Sequence, residues 1–384
     1  MIDSILLVHT NYKIYGGEDS NFIEEKRVLS NFCSVDSIQY KNTENFNIWD
    51  ILSFLTNSNR NSNKIFRNSL INNHYDAVYF HNLWFKGNLG LLRISKKNNL
   101  KTIIKIHNFR YLCASTYFSD SHVKKDNICD ACNYLGKGKF RFNKYFTESY
   151  LKSFFLIWHT RKFIKILKQG DVKVLAISRL HKSKLKDLGI SSENIFISYN
   201  PLPIQVEKEN IYDEKSNYYL FVGRLEDAKG IHNLLEVWKE FKKNKNNNFY
   251  LKIIGEGKLN CKYLKKYQIE VLGNKPLNET INIMSHSRAL LFPTKLLEGQ
   301  PRVLFEASAL GIPSIFPNIG SLLDFFPEDY KLYYERNNNE EFLKKIIETS
   351  DSNYLKKVSK EVKNHVKKNF SDELFLTSMQ LSIK

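Results

Sequence analysis

The sequence predicts an α/β protein built on parallel sheets, and three observations carry that expectation. Strand-length apolar runs alternate with helix-length amphipathic stretches along most of the chain. The pattern breaks once, near residue 200, and then restarts. The 384 residues are 42% apolar, with 27 Phe and 21 Tyr but only 16 Gly and 8 Pro. That is material for more than one core, and it excludes a disordered or fibrous chain.

In order, strands are expected at SILLVH (4–9), SVDSIQ (34–39), DAVYFH (76–81), TIIKIH (102–107), VKVLAI (172–177) and NIFISY (194–199), with helices filling most gaps. The Pro-containing polar stretch that follows reads as a linker, 201–217, between a first domain, 1–200, and a second, 218–370. The second domain carries runs at YYLFVG (218–223), YLKIIG (250–255), IEVLG (269–273), ALLFP (289–293) and IPSIF (312–316). The Asn/Lys tract 242–248 reads as a solvated loop. A last helix, 371–384, opens on a Ser/Glu capping pattern and is expected to fold back on the first domain.

The formal charge is +18 and the pI about 9.4, which points to an anionic partner such as nucleic acid, a phosphorylated metabolite or an acidic membrane. The N-terminus lacks a basic region ahead of its apolar run and reads as a buried strand, not a secretory leader. No window approaches the roughly 18 uninterrupted apolar residues of a membrane span. A cytoplasmic location is expected. Five Cys in so long a chain give no disulfide framework.

The richest constellation lies in the second half: VGRLEDAKG (222–230), IIGEGKL (253–259) and PTKLLEGQPRVLFEASALGIPSI (293–315). Arg224 and Lys229 fall between a strand's C-terminal end and a helix expected near Gly230, where α/β sheets bind ligands and a helix N-terminus favours phosphate. Two cations there would neutralise a diphosphate, whereas an isolated pair at this spacing is as readily a solvated loop. Glu298 and Glu306 flank Gly299 and Pro301. With Pro301 in the first turn of a helix, Glu298 lies in the preceding loop and Glu306 inside an otherwise apolar helix, where a carboxylate can accept from vicinal hydroxyls.

These segments resemble the donor-site signatures of retaining glycosyltransferases of family 4, of the GT-B fold. In the first half YGGEDSN (15–21), YFHNLW (79–84), IHNFRYLC (106–113), AISRLHKSKLKDLGI (176–190) and SYNP (198–201) fall in the family's order. The resemblance implies two Rossmann-like domains facing across a cleft and transfer of a sugar with retention of anomeric configuration. Carried over by position, it implies that Arg224 and Lys229 bind the donor diphosphate, that Glu306 holds the nucleotide ribose, and that Glu298, followed by Gly299, contacts the transferred sugar. Gly16 and Gly17 would let the first loop approach the diphosphate. His107 would sit beside the sugar as a catalytic group with Glu298, and His81 is a further candidate.

Two departures stand out: Pro201 follows Asn200 where the family often has Gly, and Gln300-Pro301-Arg302 follows Gly299 where an aromatic is frequent. There is no Asp-x-Asp, so donor binding is expected to need no divalent metal and no other cofactor. Cys113, Cys129 and Cys132 with His122 have the makings of a zinc knuckle. Reduced packing thiols are the preferred alternative, and no metal is assigned.

Between Lys137 and Lys184 stand thirteen Lys/Arg and two acidic residues, interleaved with aromatics. This suits an interfacial helix on anionic lipid, or an amphipathic helix whose aromatics are core. Taken with this stretch, the resemblance implies transfer of a sugar from a UDP- or GDP-linked donor to a saccharide acceptor, polyprenyl-linked, in bacterial surface polysaccharide synthesis. The site would be the inner face of the cytoplasmic membrane, with no nucleic acid involved. The same fold acting on a non-lipid acceptor, or a non-catalytic basic protein that binds nucleic acid or membrane, are the competing readings; charge-driven binding alone would not need the carboxylates.

Overall fold

In a computed structural model, residues 3–12, 16–42, 48–84, 86–115, 132, 134, 142–144, 146, 149–203, 206, 217–243, 247–259 and 264–383 are described. They divide into two compact units, 1–201 with 372–384 and 202–371. Most of the stretch 201–217 lies outside the described residues.

Unit 1 is a six-stranded parallel sheet of order β2-β1-β3-β4-β5-β6, formed by β1 (Ser4–Asn11), β2 (Ser34–Lys41), β3 (Ala77–Phe80), β4 (Lys101–Ile106), β5 (Val172–Ala176) and β6 (Ile195–Ile197). Crossovers are supplied by α1 (Gly17–Ser30), α2 (Ile48–Thr56), α3 (Arg60–Asn72), α4 (Gly90–Lys97), α5 (Tyr150–Leu167) and α6 (Arg179–Asp187). All four residues of β3 are buried because both faces are covered, as a parallel sheet requires. Parallel pairing in register sets Leu7 beside Tyr79 and Tyr79 beside Ile103. These three share one core with Phe22 and Val28 of α1.

Unit 2 repeats the plan, in the order β12-β11-β10-β7-β8-β9. Its strands are β7 (Tyr218–Val222), β8 (Tyr250–Ile254), β9 (Ile269–Gly273), β10 (Leu290–Leu291), β11 (Ser314–Pro317) and β12 (Tyr333–Tyr334). Its helices are α7 (Ile231–Phe241), α8 (Leu277–Ser285), α9 (Arg302–Ala309), α10 (Asn339–Glu348) and α11 (Ser352–Asn369). β12 has no counterpart in the sequence reading, since two residues offer no periodicity to detect. The expected strand 289–293 narrows to Leu290–Leu291.

The last helix, α12 (Asp372–Ile383), returns to unit 1. Phe375, Met379 and Ile383 enter the unit 1 core, at spacing 4 along one helix face. Ser378 donates to Ser198 at 2.7 Å, and Arg27 pairs with Asp372 at 3.2 Å.

Candidate functional site

The unit 2 residues converge where the strand order reverses, between β7 and β10, the usual ligand position in such sheets. After β7 the chain passes Arg224, makes a short 3-10 turn at Asp227–Lys229 and enters α7 through Gly230, which is left-handed at φ 74°. A Cβ there would stand 1.8 Å from the Pro293 carbonyl oxygen. Only glycine therefore lets this turn meet the loop after β10. The Lys295 amide donates to the Ala228 carbonyl at 3.0 Å and locks the two loops together.

That contact brings Lys229 to Glu298: Nζ donates to Oε1 at 2.6 Å, both side chains about one-fifth exposed. Thr294 donates to the same oxygen at 3.3 Å. Ser321 Oγ donates to the Glu298 and Gly299 carbonyls at 3.2 and 3.0 Å and so fixes the turn that aims the carboxylate. Arg224 is the more exposed cation and pairs with Glu226 at 2.9 Å. Pro301 is the residue before α9, in extended conformation, one step earlier than the first-turn position expected. Glu306 lies in α9 as anticipated, and Arg302 Nε donates to it at 3.2 Å across one turn. Arg302, singled out in the sequence as a departure, is thus the partner of the carboxylate expected to hold the ribose.

In unit 1, register dictates a second cluster. Val8 pairs with Phe80 and Phe80 with Ile104, so His9, His81 and Lys105 come next along three adjacent strands. α1 lays Asp19 and Glu25 over that row. Glu25 accepts from Lys105 Nζ at 2.7 Å and from the Tyr79 hydroxyl at 2.5 Å. His81 Nε2 stands 3.6 Å from Glu25, and its Nδ1 is 3.1 Å from His107 Nε2, the rings stacked at 5.3 Å. His9 Nε2 is 2.9 Å from Asp19.

Burial, reinforced by neighbouring imidazoles and the Lys105 ammonium, pushes His81 and His107 well below the ordinary imidazole range. Both are neutral. Burial pushes the Glu25 carboxyl up, against the pull of Lys105, and Lys105 down, against the pull of Glu25. One ligand atom each of Glu25, His81 and His107 fall within 4.8 Å of one another, as in a metal site. The Lys105 ammonium already supplies the positive charge on Glu25. A cavity opens beside His107, lined also by Glu18, Trp84, Arg110 and Tyr111. Tyr12 donates to Glu18 at 2.5 Å, and the Arg110 guanidinium lies 4.5 Å from the Trp84 ring centre.

Gly16 and Gly17 sit at the start of α1. Gly16 is the residue before the helix, extended at φ −139°, and its amide donates to Asp19 at 2.9 Å. Neither has the left-handed backbone that would demand glycine. Cys113 and Cys132 are buried, while Cys129 and His122 lie outside the described residues, as does much of 137–148. The sequence reading missed Glu25 and Lys105. The available signal was a lysine inside the apolar run TIIKI, since a buried lysine requires a partner.

Residues 204–368 match the family model described as "Glycosyl transferases group 1". An uncharacterized glycosyltransferase of Methanocaldococcus jannaschii is 30% identical over 222 residues, 56% of this chain and 59% of that protein. The amylovoran biosynthesis glycosyltransferase AmsD of Erwinia amylovora is 27% identical over 165 residues, 40% of this chain and 45% of that one. The matches thus span about half the length of these relatives. Among solved structures, a glycosyltransferase from Rickettsia africae superposes with TM-score 0.66 at 17% identity over 100% of this chain and 98% of that one. HepE of Anabaena, solved in complex with UDP-glucose, superposes with TM-score 0.65 at 12% identity over 99% of both. The chain therefore has the GT-B fold of two parallel-sheet Rossmann-like domains, and its residues 204–368 carry the sequence pattern of the glycosyl transferases group 1.

Proposed function

We propose that this protein transfers a sugar, with retention of configuration as in family 4, from a UDP- or GDP-linked donor to a polyprenyl-linked saccharide in bacterial surface polysaccharide synthesis. It would work at the inner face of the cytoplasmic membrane. The observation that carries the reading is two ion pairs, Lys229–Glu298 and Arg302–Glu306, on the turn after β7 and on the loop and helix after β10, within the segment that matches the glycosyltransferase family. Polysaccharide synthesis is supported by the likeness to AmsD, and a uridine diphosphate donor by the likeness to HepE.

Chemically, the diphosphate oxygens meet the Lys229 ammonium and the N-terminus of α7, with Arg224 closing from the exposed side. Charge that develops on the leaving diphosphate is neutralised by these fixed groups, and no divalent ion is required. Glu306 accepts from the ribose hydroxyls, with Arg302 holding its other oxygen. Glu298, released from Lys229 as the diphosphate arrives, turns to the sugar.

Thermal-shift screening against UDP-, GDP- and dTDP-sugars identifies the donor, because a ligand of the folded state raises stability by RT ln(1 + [L]/Kd). With that donor, turnover persists in EDTA and the anomeric proton coupling of the product shows retention. Loss of activity in EDTA with rescue by Mg²⁺ overturns the metal-free reading, and an inverted linkage overturns the family 4 assignment.

A further inference from the structure

We propose that His81 is a positioning residue: set by the Glu25 carboxylate, it holds His107 in the Nε2–H tautomer and leaves His107 Nδ1 as an unprotonated acceptor. This rests on the reading of His107 as the imidazole beside the transferred sugar. Proton placement along a row of atoms sets the tautomer. Glu25 Oε2 lies 3.6 Å from His81 Nε2, too far for a hydrogen bond but near enough for its field to select the nitrogen that carries the proton. A bare Nε2 would set a lone pair against the carboxylate, so Nε2 carries the hydrogen. His81 Nδ1 is then an acceptor, and the 3.1 Å contact is completed only by a hydrogen on His107 Nε2.

What remains on His107 is Nδ1, buried and without a hydrogen-bond partner among the described residues. A lone pair there suits a sugar hydroxyl, or positive charge that develops at the ring as the diphosphate departs. The groups packed around the row oppose a second proton: His9 on β1, Lys105 on β4 and His181 on α6 all act against a charge on His107. Asp19 is engaged with His9, and Glu25 with Lys105 and the Tyr79 hydroxyl of β3. The sheet builds this arrangement. Tyr79 and His81 are two apart along β3 and its end, as Lys105 and His107 are along β4 and its end, so all four share the face that α1 covers.

The test is ¹⁵N-histidine NMR of the full chain, with His107 assigned by its loss in His107→Gln, together with kinetics on the donor found by screening. Wild-type protein shows His107 protonated at Nε2. His81→Asn, whose carboxamide oxygen reaches the place of Nδ1, keeps that tautomer and most of kcat. His81→Leu loses the preference and lowers kcat about 10- to 100-fold, the range for groups that orient a functional group, with donor KM unchanged. In Glu25→Gln the carboxamide can donate to His81, and the His107 proton shifts to Nδ1. A wild-type His107 protonated at Nδ1, or wild-type tautomer and kcat in His81→Leu, overturns the proposal. The wild-type spectrum decides even where a variant fails to fold. Absence of turnover with any nucleotide sugar overturns the proposed function instead, and leaves the tautomer result standing.

Discussion

Lys229 and Arg224 occupy the same turn but not the same environment. Lys229 is mostly buried against Glu298, whereas Arg224 is 56% exposed beside Glu226. A charge-assisted contact in a partly desolvated site is worth roughly 1.5–3 kcal/mol, and an exposed one less. Lys229→Ala should weaken donor binding by about 10- to 100-fold by calorimetry, and Arg224→Ala by about tenfold or less. Equal losses would show that burial does not grade them. The histidines of unit 1 yield a second expectation. His81 and His107 are held well below the ordinary range, and burial lowers His159 and His181 to about 3. The unfolded chain titrates these groups near about 6.5, so below that pH it binds more protons than the folded one and stability falls. Each histidine costs up to about 1.4 kcal/mol per pH unit on that descent. The raised carboxyls Glu18 and Glu25 act oppositely, but they are fewer. The melting temperature should therefore be level above about pH 7 and drop between about pH 6.5 and 5; a rise over that interval would contradict the assignment of four neutral imidazoles.

The helix α5 separates two jobs that its sequence mixes. Leu156, Ile157, Ile164 and Leu167 are buried, while Tyr150, Leu151 and Phe154 are 51%, 65% and 53% exposed. The exposed stripe runs from Leu151 and Phe154 past Trp158 to Arg161, Lys165 and Lys168, apolar at its start and basic at its end. Lys162 sits 3.3 Å from the Trp158 ring centre. Such a face suits an anionic bilayer, with about 1 kcal/mol per basic residue near the surface. Liposome flotation should show binding to anionic but not zwitterionic vesicles. Binding should be lost in Lys162→Glu/Lys165→Glu/Lys168→Glu and reduced in Leu151→Ser/Phe154→Ser. Equal binding to both vesicle types would refute the membrane role.

Across the whole molecule, the chain completes its first unit with its last helix. Phe375, Met379 and Ile383 are 3%, 1% and 5% exposed, and burying each contributes about 1.5–3 kcal/mol. Their sum rivals the ~5–15 kcal/mol by which a domain is stable. The Lys105 ammonium also lies 5.1 Å from the Phe375 ring centre, so α12 packs over the buried ion pair. A chain ended at Ser371 should lose protection of β1, β3 and β4 in hydrogen exchange and melt at lower temperature. Unchanged protection of those strands would mean that α12 is dispensable.

What is local was legible in the amino-acid order. Strand-length apolar runs placed most strands and left the helices to the gaps between them, and the turn around Arg224 and Lys229 and the loop-then-helix setting of Glu298 and Glu306 were legible because each lies close in sequence to the element that orients it. The resemblance to glycosyltransferases rested on these and on similar short segments of the first half. Which charges meet became visible in the folded chain: Lys229 with Glu298 at a separation of 69, Lys105 with Glu25 at 80, His81 with His107 at 26. It also showed that Gly16 opens a helix with an ordinary backbone. The reason is physical. A buried ionisable group must find its partner in space, and the partner is set by which strands lie side by side and in what register, a choice made by packing over the whole sheet.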